Sequence, residues 1–199
     1  MRRALPLALA LIACSAEEPT GPRVIHYTPP DAEIPTATFR HRPSGLIFTA
    51  EGEGWRQLDL PGQLHPSALL AISNANGDCR GWATMNPDAR AKDDTRPDPD
   101  LARAAADHAR AETSATLERP DVHVDEYVLY DLWTARRWEL QGRREGEQTS
   151  IRATFFIDKG RLYRVQAEAR GPFYGERRRC LDHLTRGFTF AKPPEPTPQ

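Results

Sequence analysis

Between Asp121 and Arg170 apolar and polar residues alternate over four successive stretches, and this pattern leaves few folds open. In Thr149 to Asp158 one face would hold Ile151, Ala153, Phe155 and Ile157, and the other Arg152, Thr154 and Phe156. Lys159-Gly160 then makes a two-residue turn, and Arg161 to Arg170 returns with Tyr163, Val165, Ala167 and Ala169 on its inner face. Upstream, Asp121 to Asp131 places Val122, Val124, Val128 and Tyr130 on one side. Leu132 to Gln141 follows, with Trp133 and Trp138 on opposite faces because side chains in a strand alternate with period two. Gly142 to Glu147 reads as a charged turn. Period-two alternation joined by short turns predicts an antiparallel meander.

The flanks supply helices. Leu101 to Thr116 is rich in Ala, Arg and Glu, with Asp98 or Asp100 placed to cap it. Its small apolar face suits close packing on a sheet. After Gly171-Pro172, a pair that stops a strand and can start a helix, Phe173, Arg177, Cys180, Leu181, Leu184 and Phe188 follow helical spacing. Gly187 to Phe190 is expected as a short edge strand or coil. Before the meander, Gly45 to Ala50 and Trp55 to Leu60 read as a hairpin around Glu51 to Gly54. Pro66 to Ile72 reads as a short helix and Cys79 to Met85 as a strand with Trp82 in the core. The whole predicts one α+β domain over 44–190, a central antiparallel sheet with helices packed on it.

The start of the chain concerns location. Arg2-Arg3, an apolar run from Ala4 to Ala13 and a small residue before Cys14 have the layout of a secretory signal. The run is shorter than the roughly 20 apolar residues a spanning helix needs. Leu11-Ile12-Ala13-Cys14 resembles a lipobox, the site where bacterial lipoprotein precursors are lipidated and cut. That resemblance makes residues 1–13 a signal peptide and Cys14 the first mature residue, carrying diacylglycerol and an amide-linked acyl chain such as palmitate. Each buried methylene contributes about 0.8 kcal/mol, so two or three chains hold firmly where one does not. Ser15 follows in place of the Asp that resembles an inner-membrane retention signal, which favours the outer membrane. Residues 14–43, rich in proline, are expected as a tether that lifts the domain off the lipid, and 191–199 as a disordered proline-rich tail. In an oxidising compartment Cys79 and Cys180 form an even pair, either a disulfide or two buried thiols. The disulfide is the expectation.

The order of elements carries a family resemblance. A hairpin ending at Trp55, a middle helix, a four-strand meander, a closing helix and the terminal Gly187-Phe188-Thr189-Phe190 resemble the PsbP-like superfamily over about Ser44 to Phe190. The resemblance implies an α/β/α sandwich and an accessory or binding role, and carries no catalytic residue to this chain.

Site motifs are scarce. The six histidines (His26, His41, His65, His108, His123 and His183) form no metal-binding or zinc-protease spacing. His123 and Asp125 share a strand face and could pair. The acids between Asn86 and Asp100 lack EF-hand spacing and read as a solvated loop. No nucleophile elbow or phosphate loop is present, and no metal or cofactor is expected. With 27 Lys+Arg against 28 Asp+Glu, bulk charge does not suit nucleic-acid binding. Arg177, Arg178 and Arg179 form a candidate patch for an anionic partner. The function expected is a lipid-anchored, non-catalytic binding or accessory domain of the bacterial envelope with a protein partner yet to be identified. A carrier or assembly factor for envelope lipids or lipoproteins is the alternative, and an enzyme of unrecognised type the third. A Cys14→Ala precursor is expected to stay unlipidated and unprocessed, read as loss of fatty-acid labelling and slower gel mobility; normal maturation would refute the lipobox.

Overall fold

The structure is a computed structural model, and it describes residues 23–25, 36–86, 99–130, 133–158 and 160–190. Cys14 and its signal, most of the tether, the acidic stretch 87–98, Lys159 and the tail 191–199 lie outside the described residues. The meander is present: β7 (Glu118–Tyr130), β8 (Trp133–Arg144), β9 (Glu147–Asp158) and β10 (Arg161–Arg170) pair antiparallel in sequence order. On the β10 side β6 (Cys79–Asn86), β5 (Ala68–Ser73) and β4 (Arg56–Gln57) extend the sheet. On the other side β1 (Arg23–Ile25) runs parallel to the end of β7, which completes eight strands. A second sheet of three strands has β3 (Leu46–Glu51) between β2 (Thr36–His41) and β11 (Phe188–Phe190).

Both faces of the large sheet are covered along β8 and β9, and by different partners. On one face α1 (Pro99–Ser114) lays Ala102, Ala106 and Ala109 over Trp138, Leu140, Ile151, Ala153 and Phe155. Alanine lets the helix axis approach, and the Trp138 indole N–H donates to the Ala106 carbonyl at 3.0 Å. On the other face α2 (Tyr174–Gly187) and the small sheet bring Leu181, Leu184, Phe48 and Phe188 against Phe156, Tyr163, Val165 and Ala167. Each such large side chain stabilises the fold by roughly 1.5–3 kcal/mol through burial. Tyr130 donates to the Phe188 carbonyl at 2.6 Å and holds the end of α2 to the sheet. Gly187 closes that contact: a Cβ there would lie 2.4 Å from the Phe48 ring. The covering of this face is therefore mixed helix and sheet, and the architecture is α+β without a clear α/β/α sandwich.

Several expectations are corrected. Residues 66–72 contribute β5 and not a helix, because Leu70, Ala71, Ile72 and Ser73 are all buried between β6 and β4 and pairing overrides local helix preference. The hairpin of residues 45–60 does not form: β3 and β4 belong to different sheets. Gly52 and Gly54, at φ of +85° and +83°, redirect the chain between them. Ordered structure begins before Ser44, since β1 and β2 fall inside the stretch read as tether. The charged turn shrinks to Glu145-Gly146, both at positive φ, as a two-residue hairpin turn requires. Val122 is 52% exposed because a bulge between Val122 and Val124 breaks the alternation. Phe173 precedes α2 and is exposed rather than part of its apolar stripe.

Cys79, the first residue of β6, is bonded to Cys180 in α2, with Cα atoms 5.8 Å apart. The pair closes a loop with a sequence separation of 101 residues. Such a closure is worth about 4–5 kcal/mol in the chain-entropy model. Replacing both cysteines by serine is expected to cost about 2–4 kcal/mol in denaturant unfolding, and neither thiol should react with an alkylating agent before reduction.

Candidate functional site

α1 packs on β8 and β9 and leaves the same face of β10 and β6 without helical cover. There the strands carry polar residues. Arg164, Gln166 and Glu168 alternate along β10, and Trp82 and Arg80 of β6 stand opposite Gln166 and Glu168. A cavity of about 280 Å³, open to solvent, lies over them. Its other walls are Glu112, Thr113 and Thr116 at the end of α1, Arg144 of β8, and Gln63, Leu64 and His65 beside the 3-10 turn Pro61–Gln63. It is at the small end of ligand pockets, which run about 300–1,000 Å³.

The floor is a carboxylate among guanidiniums. Glu168 is 2% exposed. Its Oε1 accepts from Arg80 at 2.7 Å and from Arg170 at 3.0 Å, and its Oε2 from Arg144 at 2.7 Å. Burial alone would raise the Glu168 pKa, but Arg80, Arg144 and the hydrogen bonds from Arg170 and Arg80 outweigh it and hold the group below the ordinary carboxylate value. Arg144 also donates to Thr116 Oγ1, which links the floor to the segment after α1.

The wall is different. Arg164 donates from Nε at 2.9 Å, and from Nη2, to the neutral Gln166 Oε1. Its guanidinium lies 5.5 Å from the centre of the Phe155 ring. Burial lowers its pKa to about 10, with Glu112 countering through its field. His65 accepts at Nδ1 from the Ser67 amide at 3.2 Å, which puts the proton of the neutral ring on Nε2. Burial, then the nearby Arg164, lower its pKa, so the ring is neutral at pH 7. Trp82 is buried as expected, yet it also lines the cavity, and its Nε1 has no partner.

The residues singled out from sequence fall elsewhere. Cys79 and Cys180 are joined. Arg177 is buried, donating to Ser150 Oγ at 2.9 Å and to the Gly171 carbonyl at 2.6 Å, so it does not belong to an exposed patch. Helical rotation leaves Arg178 and Arg179 exposed and turns Arg177 to the sheet. His123 and Asp125 do not pair: His123 Nε2 meets Tyr174 Oη at 2.7 Å, and Asp125 holds Arg110 and Arg136. Arg152, which the alternation put on the strand face opposite Ile151 and Phe155, projects to the α2 face and bonds Glu139 and Asp182. Among the described residues no three His, Cys, Asp or Glu side chains are grouped to hold a metal ion, and no helix is long and apolar enough to cross a membrane. The cavity itself was not foreseen. Its signal was the run Arg164-x-Gln166-x-Glu168 on a strand whose other face is core.

No protein-family model and no curated protein sequence matches the chain. The solution structure of cyanobacterial PsbP (CyanoP) from Synechocystis sp. PCC 6803 is similar with a TM-score of 0.55 at 12% identity, covering 78% of this chain and 92% of that one. The crystal structure of LpqN, involved in cell envelope biogenesis of Mycobacterium tuberculosis, is similar with a TM-score of 0.52 at 12% identity, covering 80% and 92%. At these identities the likeness is one of fold, and the fold is PsbP-like.

Glu168→Gln leaves three guanidiniums around a neutral amide and is expected to cost about 3 kcal/mol at pH 7. Because the folded-state pKa of Glu168 lies below its unfolded value, this advantage is present above pH ~4.5 and is lost as pH falls through the folded value. Denaturant unfolding of both proteins at pH 7 and pH 3 checks it, and a gap that stays constant refutes it.

Proposed function

We propose that the chain is a bacterial envelope lipoprotein, anchored through acylated Cys14, whose folded part is a non-catalytic binding or accessory module. The observation that carries this reading is the charged cavity: beside the parts of the large sheet that α1, α2 and the small sheet cover, a concave surface is built from charged side chains. Glu168 and its arginines make a rigid floor, and the turn at Pro61–Gln63 makes a rim. Two solved structures share the fold, one of them of a protein involved in cell envelope biogenesis, and the Leu11-Ile12-Ala13-Cys14 pattern points to the same compartment. The outer membrane is the favoured site, and the residues between Cys14 and β1 join the lipid anchor to the folded part. A lipid carrier would need an apolar cavity, and this one is lined by arginine and glutamate.

Crosslinking in the native envelope followed by mass spectrometry tests the proposal. Wild type is expected to capture a protein partner, and Gln63→Trp, which fills the cavity from its exposed rim, to lose that product while folding normally. Recovery of no partner by wild type would overturn the accessory reading.

A further inference from the structure

Arg164 is set apart from the arginines around it. Arg80, Arg144 and Arg170 share Glu168; Arg136 holds Asp125, Arg137 holds Glu126, and Arg152 holds Glu139 and Asp182. Arg164 is part-buried and has no carboxylate within ion-pair distance among the described residues; its acceptor is the neutral Gln166 amide. A guanidinium carries five N–H donors. Nε and one hydrogen of Nη2 are spent on Gln166, and Phe155 supports the plane from one side. The Nη1 and outer Nη2 donors remain, a fork suited to two oxygens of one planar anion.

The lining charges set the anion's valence. Arg80, Arg144 and Arg164 stand against Glu112 and Glu168, with His65 neutral, which leaves one positive charge to balance. A carboxylate brings one negative charge and two coplanar oxygens. A phosphate dianion would bring more charge than the lining balances and set it against Glu112 and Glu168. The neutral lining supplies further donors: His65 Nε2–H and the Gln63 amide. We propose that this cavity binds a carboxylate of a small polar molecule, with Arg164 as the residue that grips it. The inference rests on reading the cavity as the binding site. Two sources share the chemistry, a free organic acid and the carboxylate end of a peptide.

Titration calorimetry on the mature lipidated protein in detergent tests it, with acetate, N-acetylalanine, N-acetylalaninamide and inorganic phosphate as probes. One or both carboxylates are expected to bind and the amide to give no heat. N-acetylalanine binding at least about tenfold tighter than acetate identifies a peptide end, and comparable binding a free acid. Arg164→Met is expected to weaken the carboxylate at least about tenfold without lowering the melting temperature, because it removes a part-buried charge that has no carboxylate within ion-pair distance. Glu112→Gln, on the exposed rim, is expected to tighten binding about two- to threefold by removing a competing charge, and it keeps the test open should Arg164→Met fold poorly. No carboxylate binding, equal binding of the amide, tighter binding of phosphate, or unchanged affinity in the Arg164 variant would each overturn the proposal. Partner capture without carboxylate binding would leave the accessory reading standing and remove only the ligand class; carboxylate binding without a partner would do the reverse.

Discussion

The pleat of β9 and β10 sends neighbouring side chains to opposite faces of one sheet, and because both faces are buried the rest of the molecule is arranged to cover them. Ile151, Ala153 and Phe155 require one covering layer, and Phe156, Tyr163 and Val165 require another. The two coverings are unequal. α2 and the small sheet span much of their face, tied down by the Cys79–Cys180 bridge and the Tyr130 hydroxyl. α1 is one helix with an alanine face, and it covers β8 and β9. What α1 leaves bare on β10 and β6 must tolerate water, and those positions hold Arg164, Gln166, Glu168 and Arg80. The candidate site is thus where one covering layer stops.

Charge inside this fold is mostly neutralised in place. Burying an ion is tolerated only when partners replace the lost water, and Glu168 and Arg152 each meet that condition with three bonds. Several arginines in the second half of the chain, among them Arg110, Arg136, Arg137, Arg144, Arg152 and Arg170, are held by carboxylates within the fold. Arg178 and Arg179 remain exposed, and Arg164 remains unpaired beside a cavity. That contrast, and not the total charge, distinguishes the cavity from the rest of the surface.

The parts legible in the sequence are those governed by near neighbours. Strict alternation in β9 and β10 named the residues of each face, since a period of two has only one geometric meaning. The Ala-rich face of α1 and the stripe of Cys180, Leu181 and Leu184 in α2 were readable for the same reason, and with Cys14 set aside by its lipobox pattern Cys79 and Cys180 were left as a disulfide or two buried thiols. Partner choice was not readable. Residues 45–60 look like a hairpin locally, yet β3 finds α2 and β11 while β4 finds β5. Residues 66–72 look helical, yet a place in the sheet beside β6 outweighs a few tenths of a kcal/mol of propensity per residue. Arg177 looked like one of three equivalent surface charges until the helix was docked.

The sequence by itself determined the α+β class, the meander with its two faces and the closing helix, because each depends on periodicity. Tertiary structure alone decided that one covering layer is mixed helix and sheet, that Arg152 and Arg164 lie on opposite faces, and that a polar cavity exists. Those outcomes depend on which distant segments meet, and sequence spacing carries no information about how far a helix reaches across a sheet. Alternation leaves Arg164, Gln166 and Glu168 on the face of β10 opposite Tyr163, Val165 and Ala167; only the limit of α1 made that face the wall and floor of a site.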